Sequence, residues 1–372
     1  QNLLEEKFPK KFNKDTVYAS LDDQDEMQTF DTSEAAIFTT YDSAKGLERR
    51  VCVICDYNLK YLEAREKYSV SRQVLKNIFL VAASRGKERI IFYTGPRDEL
   101  LDFKTVGRIT GDIPIDMKPV NISQAFDHKY EEDVRECRQY LKIEKVQEKG
   151  AIIKTTKSEG FIDLSACIGI HAAASFFKSY DIDMMIARGF DDAINRGLKL
   201  PAYNESWSLQ KKILYLTAME TGQLRYIKDI KKKYISKTAD EKIQKRLSTV
   251  FSDTETVEQP CRITFMNVRE TDTNEQLGDK MLIGRCDVIT KDDILYELKF
   301  VDTITPSHEL QAALYAIAFD MEYAILWNLQ DNEQYKVSIA QEDIGDFLQA
   351  VCKCISKDML QVAKGQIQVT GR

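Results

Sequence analysis

The sequence predicts an α/β protein of two domains, the first with a parallel sheet and the second with a mixed sheet. Three observations support this prediction. The chain has 372 residues, more than one typical domain holds. Its early part alternates continuous apolar runs with a helical segment, as buried parallel strands do. Later in the chain, strand-like segments follow one another closely, and a polar turn suited to a hairpin joins two of them.

The first domain is predicted to span residues 1–103. Apolar runs at 35–40, 50–55 and 89–93 predict strands, and residues 71–83 have the pattern of a helix. Strands that alternate with a helix in this way indicate a βαβ layout.

Residues 104–150 are predicted to connect the two domains, because Gly and Pro interrupt the first part and the charged stretch 130–149 suits a helix. The second domain is predicted to occupy residues 151–372. Its predicted elements are a buried helix at 164–178, further helices to 247, strands at 262–268, 281–289 and 294–301, a helix at 309–319, strands at 323–329 and 334–339, and a helix at 342–357.

The composition excludes several classes of protein. Lys and Arg number 53 against 59 Asp and Glu, and the resulting net charge of −6 does not favour non-specific coating of nucleic acid. The eight cysteines are scattered through apolar runs, as reduced thiols are in a cytoplasmic protein. No apolar run approaches the ~18 residues of a membrane span, and no secretory signal is present, so we expect a cytoplasmic protein without a membrane partner. The chain starts at Gln1 rather than Met, as a piece of a longer protein would.

Two carboxylates and a lysine are the strongest chemical signal in the sequence. Asp287 ends one predicted strand, and Glu297 and Lys299 lie on the next, where alternation places both on one face and turns Leu298 into the core. Carboxylate oxygens hold Mg²⁺ or Mn²⁺, which lowers the pKa of a bound water and neutralises charge at a phosphate. The set therefore favours metal-dependent phosphodiester hydrolysis.

A solvated cross-strand salt bridge is the alternative interpretation of these three residues. Two features favour a site instead. The charged pair interrupts an otherwise apolar strand, and the following helix carries Gln311 and Tyr315 four residues apart on one face.

The second domain resembles the RecB-type branch of the PD-(D/E)xK nucleases over residues 160–357. The resemblance lies in the order and spacing of Asp287, Glu297, Lys299, Gln311 and Tyr315. The resemblance implies a mixed-sheet nuclease domain that cleaves DNA with Mg or Mn. It also implies metal ligands at Asp287, Glu297 and the backbone carbonyl of Leu298. A His in the first helix serves as a further ligand in this branch, and His171 matches that place; a satisfied core histidine is the alternative.

Some members of this branch hold an iron–sulfur cluster with four cysteines. Here the downstream cysteines are Cys352 and Cys354, without a second spaced pair, so we expect no cluster. Cys52 and Cys55 lie in a predicted buried strand and suit the core better than a metal site.

Two stretches of the first domain, 40–48 and 80–89, resemble the last two motifs of UvrD/Rep helicases of superfamily 1. The resemblance implies part of a RecA-like motor domain. Arg85 would reach the γ-phosphate of ATP and Glu48 the nucleotide sugar. Ser43 and Lys45 would lie near DNA or the nucleotide. Asp42 and Ser84 depart from the His and Thr that are usual in those motifs.

A phosphate-binding loop of the G-x-x-x-x-G-K-[ST] type does not occur in the sequence. We therefore expect no ATPase activity from this chain alone. ATP would bind only if a complete motor is supplied elsewhere, by a missing N-terminal domain or a partner subunit. A degenerate motor acting as a scaffold is the alternative.

The segment 228–234 is the densest basic patch, with Arg225, Tyr226 and Lys237 nearby. It suits a solvated helix face; the alternative is a surface for single-stranded DNA on which Tyr226 or Tyr234 stacks with bases. The sequence as a whole predicts the nuclease domain of a helicase–nuclease that acts on single strands or duplex ends in DNA end processing, repair or defence. A catalytically silent DNA-binding or scaffolding subunit is the alternative.

Overall fold

The computed structural model describes most of the chain from residue 119 onward and shorter parts before it. The described residues are 17–19, 36–38, 48–58, 79–94, 119–127, 129–154, 164–195, 198–228, 230, 233–271, 274 and 276–371. They belong to two compact units, residues 1–117 and residues 118–372.

The described strands of the first unit pair in parallel, as predicted. The burial predicted for residues 50–55 is wrong, since Val51 and Val53 are more than half exposed and Cys55 is exposed as well. β1 (Val17–Ala19) pairs with β2 (Ala36–Phe38), and β3 (Arg49–Cys55) pairs with β4 (Gly86–Tyr93). Residues 79–83 are helical, and the rest of the helix predicted at 71–83 lies outside the described residues. The two pairs form separate small sheets, which do not by themselves show a RecA-like domain.

The second unit combines helices with a mixed sheet, as the sequence predicts. Its helices are α1 (Glu131–Arg138), α2 (Ser165–Phe176), α3 (Ile182–Asn195), α4 (Leu209–Thr221), α5 (Arg225–Lys228), α6 (Lys237–Leu247), α7 (Pro306–Ala318) and α8 (Ile344–Ile355). Its strands are β5 (Val120–Asn121), β6 (Leu141–Gln147), β7 (Thr256–Glu270), β8 (Gln276–Ile289), β9 (Leu295–Lys299), β10 (Tyr323–Asn328), β11 (Glu333–Ile339), β12 (Leu360–Gln361) and β13 (Ile367–Thr370).

Within the described residues, the strands of this unit form one sheet in the order β12-β7-β8-β9-β10-β11-β6, with β13 also on β7 and β5 on β8. The pairing of β9 with β10 is parallel because α7 crosses over between them, whereas β7, β8 and β9 form an antiparallel meander. The central position of β9 places its side chains between two packed layers.

The hairpin predicted at residues 291–293 is confirmed. Ile289 pairs with Leu295, and Thr290 and Ile294 close the turn with a backbone hydrogen bond of 3.0 Å. Asp293 has a φ of 55°, a left-handed conformation that Asp tolerates better than most residues. This turn sets the register of β9 against β8.

Alternate residues of β9 serve two layers. Tyr296 and Leu298 pack against the apolar core that contains buried residues of α2, α3, α4 and α6. The rings of Tyr296 and Phe251 lie there with their centroids 4.8 Å apart. Trp327 of β10, fully buried, lies in the same aromatic cluster. The opposite face, with Glu297 and Lys299, is turned toward α7. The expectation that Leu298 points into the core is confirmed.

The helix predicted over residues 130–149 is wrong in its second half. α1 ends at Arg138, and β6 pairs with β11 at the edge of the large sheet. The alternation of Leu141, Ile143 and Lys145 follows the period of a strand, and the high charge of the segment masked it. Residues 118–150 of the expected connector thus fall in the second compact unit.

Across the described ranges, none of the helices combines the length and apolar character needed to cross a bilayer.

Candidate active site

Asp287 and Glu297 meet where β8 and β9 diverge. Their ladder consists of the pairs Ile289–Leu295 and Val288–Tyr296. Beyond them the backbone amide of Leu298 donates to Oδ2 of Asp287 at 2.6 Å, so a carboxylate takes the place of a strand carbonyl. The side chains of Asp287 and Glu297 lie within hydrogen-bond reach of each other. The divergence therefore opens space for two carboxylates inside a sheet.

Lys299 links the carboxylates to α7. Its Nζ donates to Oε1 of Glu297 at 2.8 Å and to Oε1 of Gln311 at 2.8 Å. The hydroxyl of Tyr315, one helical turn further on, lies near the side chain of Gln311, which partly offsets the raised pKa of that hydroxyl. The structure thus brings together the five residues that the sequence singled out, in one connected polar network.

Gly284 makes room for Tyr315 at the base of this network. A Cβ on Gly284 would lie 2.8 Å from Cε1 and 2.9 Å from the hydroxyl oxygen of Tyr315. Both distances are shorter than ordinary van der Waals contact, so the glycine is required by the close approach of the tyrosine ring.

We expect Gly284→Ala to displace Tyr315 and to disturb the network through Gln311. Overpacking of a core position costs about 1–3 kcal/mol, which thermal denaturation would measure. Gly169→Ala in α2 is the matched control, because a Cβ there meets nothing within 4 Å and alanine favours a helix. Equal thermal stability and equal cleavage in the two variants would contradict the role given to Gly284.

Burial dominates the electrostatics of the site. Burial and the neighbouring Asp287 raise the pKa of Glu297 to about 8, and burial also raises the pKa of Asp287. Burial alone would lower the pKa of Lys299, but the carboxylates of Glu297 and Asp287 raise it overall. The one ammonium therefore does not suffice to keep both carboxyl groups ionised at neutral pH.

The residues present fit a divalent cation. Oε2 of Glu297 is buried, and no amide, ammonium or hydroxyl of the described residues donates to it, while Oε1 accepts from Lys299. Mg²⁺ is usually held by one or two carboxylates together with waters and substrate phosphate, and Asp287 with Glu297 supply that number. Within the described residues, three or more His, Cys, Asp or Glu side chains do not gather into a preformed metal cage.

Further acidic and polar residues surround Asp287 that the sequence analysis did not single out. Glu258 of β7 is half-buried, and its pKa is raised well above the usual range by desolvation and by the charges of Asp287, Glu220 and Glu297. Burial raises the pKa of the Tyr180 hydroxyl, and the charges of Glu258, Glu220 and Asp287 raise it further. The site is therefore more acidic than the Asp-Glu-Lys pattern alone indicates.

Glu258 has a φ of 54°, at a point where the pairs between β7 and β8 skip one residue on each strand. Such strain in a non-glycine residue is concentrated at functional sites. The sequence signal was Pro260, which often marks a bulge or an edge in a strand. Because the strand was predicted to begin at residue 262, Glu258 fell outside it.

His171 lies on the buried face of α2 and has partners of its own. Its Nδ1 is 3.1 Å from the hydroxyl of Tyr234, and its Nε2 is 3.1 Å from Oδ1 of Asp240 on α6. Ser175 approaches the same Nε2 at 3.3 Å. Both ring nitrogens are therefore engaged between helices, which supports the core alternative; the metal-ligand role stays a prediction.

We expect His171→Ala to lower the free energy of unfolding by about 1–3 kcal/mol, as truncation in a core does, and to leave metal affinity unchanged. Chemical denaturation and calorimetry of Mn²⁺ binding would measure the two effects separately. Weakened Mn²⁺ binding with unchanged stability would restore His171 as a ligand.

In the first unit, Glu48 and Arg85 lie beside the first residues of two neighbouring strands. The backbone amide of Arg49 donates to the carbonyl of Arg85 at 3.0 Å. Glu48 is 2.9 Å from Nζ of Lys87, and this hydrogen bond and ion pair lower its pKa. Nε of Arg85 donates to the carbonyl of Val81. Ser43 and Lys45 lie outside the described residues.

The tyrosines of the basic patch are unsuited to stacking with bases. Tyr226 and Tyr234 are each 2 % exposed, and Tyr234 is held by His171. The alternative that either ring stacks with single-stranded DNA is wrong, because the basic segment folds with its aromatic side chains inward.

Comparison with known proteins finds a similarity over the segment that contains the site. Residues 266–340, which contain Asp287, Glu297, Lys299, Gln311 and Tyr315, match the family model of the PD-(D/E)XK nuclease superfamily. The mixed sheet of the second unit is consistent with the fold of that superfamily. The chain has no significant match among curated proteins.

Proposed function

We propose that residues 118–372 form a metal-dependent deoxyribonuclease that hydrolyses phosphodiester bonds at Asp287 and Glu297. The observation that carries the proposal is the buried Oε2 of Glu297, to which no amide, ammonium or hydroxyl of the described residues donates, beside the second carboxylate of Asp287 and the ammonium of Lys299. In a solvated cross-strand salt bridge, by contrast, the carboxylate oxygens would be exposed to water or paired with a cation. The match of residues 266–340 to a nuclease superfamily supports the same function.

A divalent cation, Mg²⁺ or Mn²⁺, would be held by Asp287, Glu297 and the backbone carbonyl of Leu298, and when bound it would lower the pKa of a water and polarise the phosphate. Lys299 keeps its ammonium next to the position of the phosphate, where it stabilises the charge that develops as water adds to phosphorus and the P–O bond breaks. Gln311 fixes the direction of that ammonium through its 2.8 Å hydrogen bond, and Tyr315 supports Gln311.

At a finer level, the nuclease would belong to the RecB-type branch and work with a helicase motor. The order and spacing of Asp287, Glu297-x-Lys299 and Gln311-xxx-Tyr315 support the branch. The neighbouring positions of Glu48 and Arg85 at the starts of two parallel strands support a nucleotide-facing surface in the first unit. ATP would bind there when the remaining motor is supplied by another segment or a partner subunit, and the work of such a protein is DNA end processing, repair or defence against foreign DNA.

A cleavage assay tests the proposed function. The purified protein is incubated with linear duplex, circular duplex and single-stranded DNA, with Mg²⁺, with Mn²⁺ and with excess EDTA. We expect cleavage with either metal and none with EDTA. Cleavage that persists in EDTA would contradict the assignment. Absence of cleavage under all conditions would favour the silent scaffolding subunit.

A further inference from the structure

A pocket of about 210 Å³ lies at the N-terminal end of α4, outside the carboxylate site. Its walls are mostly apolar, and its main lining residues are Trp207, Lys211, Leu214, Tyr215, Ile227 and Ile230. Pockets for drug-sized ligands hold about 300–1,000 Å³. This pocket is smaller, so it suits a group the size of a single planar ring.

Trp207 forms a fixed wall of the pocket. Its ring meets Tyr203 at 5.4 Å and Tyr215 at 5.5 Å between centroids, both in edge-on arrangements. Nζ of Lys211 lies 3.8 Å from the centre of the Trp207 ring. Lys211 thus covers one face of the Trp207 ring, and an aromatic ring that lines a pocket beside a cation is a combination that can bind a base next to its phosphate.

One lysine lines the pocket and another lies next to a lining residue in the chain. Lys211 lines the pocket and is exposed, and Lys228, also exposed, directly follows the lining residue Ile227. Lys212, by contrast, is partly buried, and its Nζ donates to Oδ2 of Asp183 at 2.7 Å. The basic patch that the sequence singled out therefore borders an apolar, ring-sized pocket, and the charge of its rim complements a phosphate backbone.

α4 joins this pocket to the carboxylate site. Lys211 lies near the start of the helix, and Glu220, whose charge raises the pKa of Glu258, lies near its end. Nine residues at 1.5 Å each give a separation of roughly 14 Å along the axis. Stacked nucleotides advance by about 3.4 Å per residue of one strand, so the distance corresponds to about four nucleotides.

We propose that the pocket binds one base of a single-stranded segment of the DNA that is cleaved at Asp287 and Glu297, several nucleotides from the cleaved bond. The inference rests on the proposed nuclease function and adds the part of the substrate that the protein grips. The base stacks on the part of the Trp207 ring that faces the pocket, and Lys211, which lines the pocket, accompanies the adjoining phosphate. The pocket thereby determines where along the strand the cut falls.

The test combines a binding measurement with a map of cleavage sites. Binding of a fluorescein-labelled oligothymidylate of about 20 nucleotides, a length above most single-strand site sizes, is measured by anisotropy in EDTA. Trp207→Leu keeps an apolar wall and removes the stacking surface. We expect its affinity to fall about 5- to 150-fold, the range for loss of one stacked base. An abasic oligomer of the same length is expected to bind wild type and variant alike.

Two further variants keep the test decisive. Lys211→Glu changes an exposed side chain, so it preserves the fold, and we expect it to weaken binding as well. Tyr323→Leu is the matched control, because Tyr323 is another ring covered by a lysine, with Nζ of Lys336 4.1 Å from its centre, outside the pocket. Tyr323→Leu is expected to leave the affinity unchanged.

The intrinsic fluorescence of the protein gives a second readout. The two tryptophans are Trp207 and the fully buried Trp327, so quenching by oligothymidylate is expected in the wild type and absent in Trp207→Leu. With Mn²⁺, the cleavage sites of Trp207→Leu on end-labelled DNA should spread over several positions.

Unchanged affinity and an unchanged cleavage pattern in Trp207→Leu and Lys211→Glu would overturn the pocket while leaving the nuclease standing. Equal loss of affinity for the abasic oligomer would show a phosphate surface without base stacking, which also overturns it. A wild-type protein that binds through Trp207 but never cleaves would refute the nuclease, since the binding measurement does not depend on cleavage.

Discussion

Asp287→Asn and Glu297→Gln are each expected to reduce metal-dependent cleavage by at least about 100-fold. Removal of one group that stabilises developing charge typically costs about 10²–10³ in rate. Here each substitution also removes a charged ligand oxygen from a site that offers two carboxylates. The initial rate on labelled DNA at saturating Mn²⁺ measures the loss.

Glu309→Gln is the matched control for these variants. Glu309 is a buried carboxylate on α7, the helix that also bears Gln311, but it pairs with Arg138, whose Nη2 lies 3.1 Å from its Oε1. Its substitution is expected to preserve cleavage per folded molecule. Cleavage by Asp287→Asn or Glu297→Gln at the rate of the control, with Mn²⁺ still required, would place the metal elsewhere.

The metal-free protein is expected to lose stability as the pH rises from about 4.5 to about 8, through the titration of Glu297. Its pKa in the folded state is raised to about 8, above the ordinary value of 4.5, so the folded protein binds more protons than the unfolded chain in this window. Stability then falls as the pH increases, at a rate that approaches about 1.4 kcal/mol per pH unit for one proton. Glu258, with its raised pKa, acts in the same direction.

His308 acts in the opposite direction over part of this range, because burial and Lys299 lower its pKa to about 4. The contribution of Glu297 is therefore best isolated as the difference between wild type and Glu297→Gln. In EDTA, the melting temperature of the variant relative to wild type should increase between pH 5 and pH 8.

Added Mn²⁺ should reverse the trend in the wild type, because a divalent ion binds the ionised carboxylates and its stabilisation grows with pH. The same ion should leave Glu297→Gln nearly unaffected. Melting curves of the two proteins that run parallel from pH 5 to pH 8, with and without Mn²⁺, would contradict the assignment of Glu297 as both buried and metal-binding.

The sequence was most informative where side-chain alternation and motif spacing coincided. Glu297 and Lys299 could be assigned to one face of β9 because Tyr296 and Leu298 had to face the core, and the turn at 291–293 set the register against Asp287. The helical spacing of Gln311 and Tyr315 then placed both near Lys299, as observed.

The sequence was least informative where contacts join segments far apart in the chain. Glu258 reaches Asp287 through a skipped pair of residues in the sheet, a local distortion that no periodicity shows. The apolar helix carrying His171 was compatible with a metal ligand, and its partners Tyr234 and Asp240 lie more than sixty residues further along. The high charge of 141–147 likewise concealed a strand that is recognisable through its partner β11.

The alternation along β9 has a consequence for the evolution of the protein. The five residues of β9 supply both the polar site and part of the apolar core. Glu297 and Lys299 face α7, whereas Tyr296 and Leu298 pack in the core, where Tyr296 contacts Trp327. An insertion or deletion of one codon would exchange the two faces and destroy folding together with chemistry. Single substitutions at Glu297 or Lys299, however, leave the core contacts of Tyr296 and Leu298 in place. Descendants that abandon cleavage should therefore do so by point changes at these polar positions, and should still carry the aromatic and aliphatic residues between them.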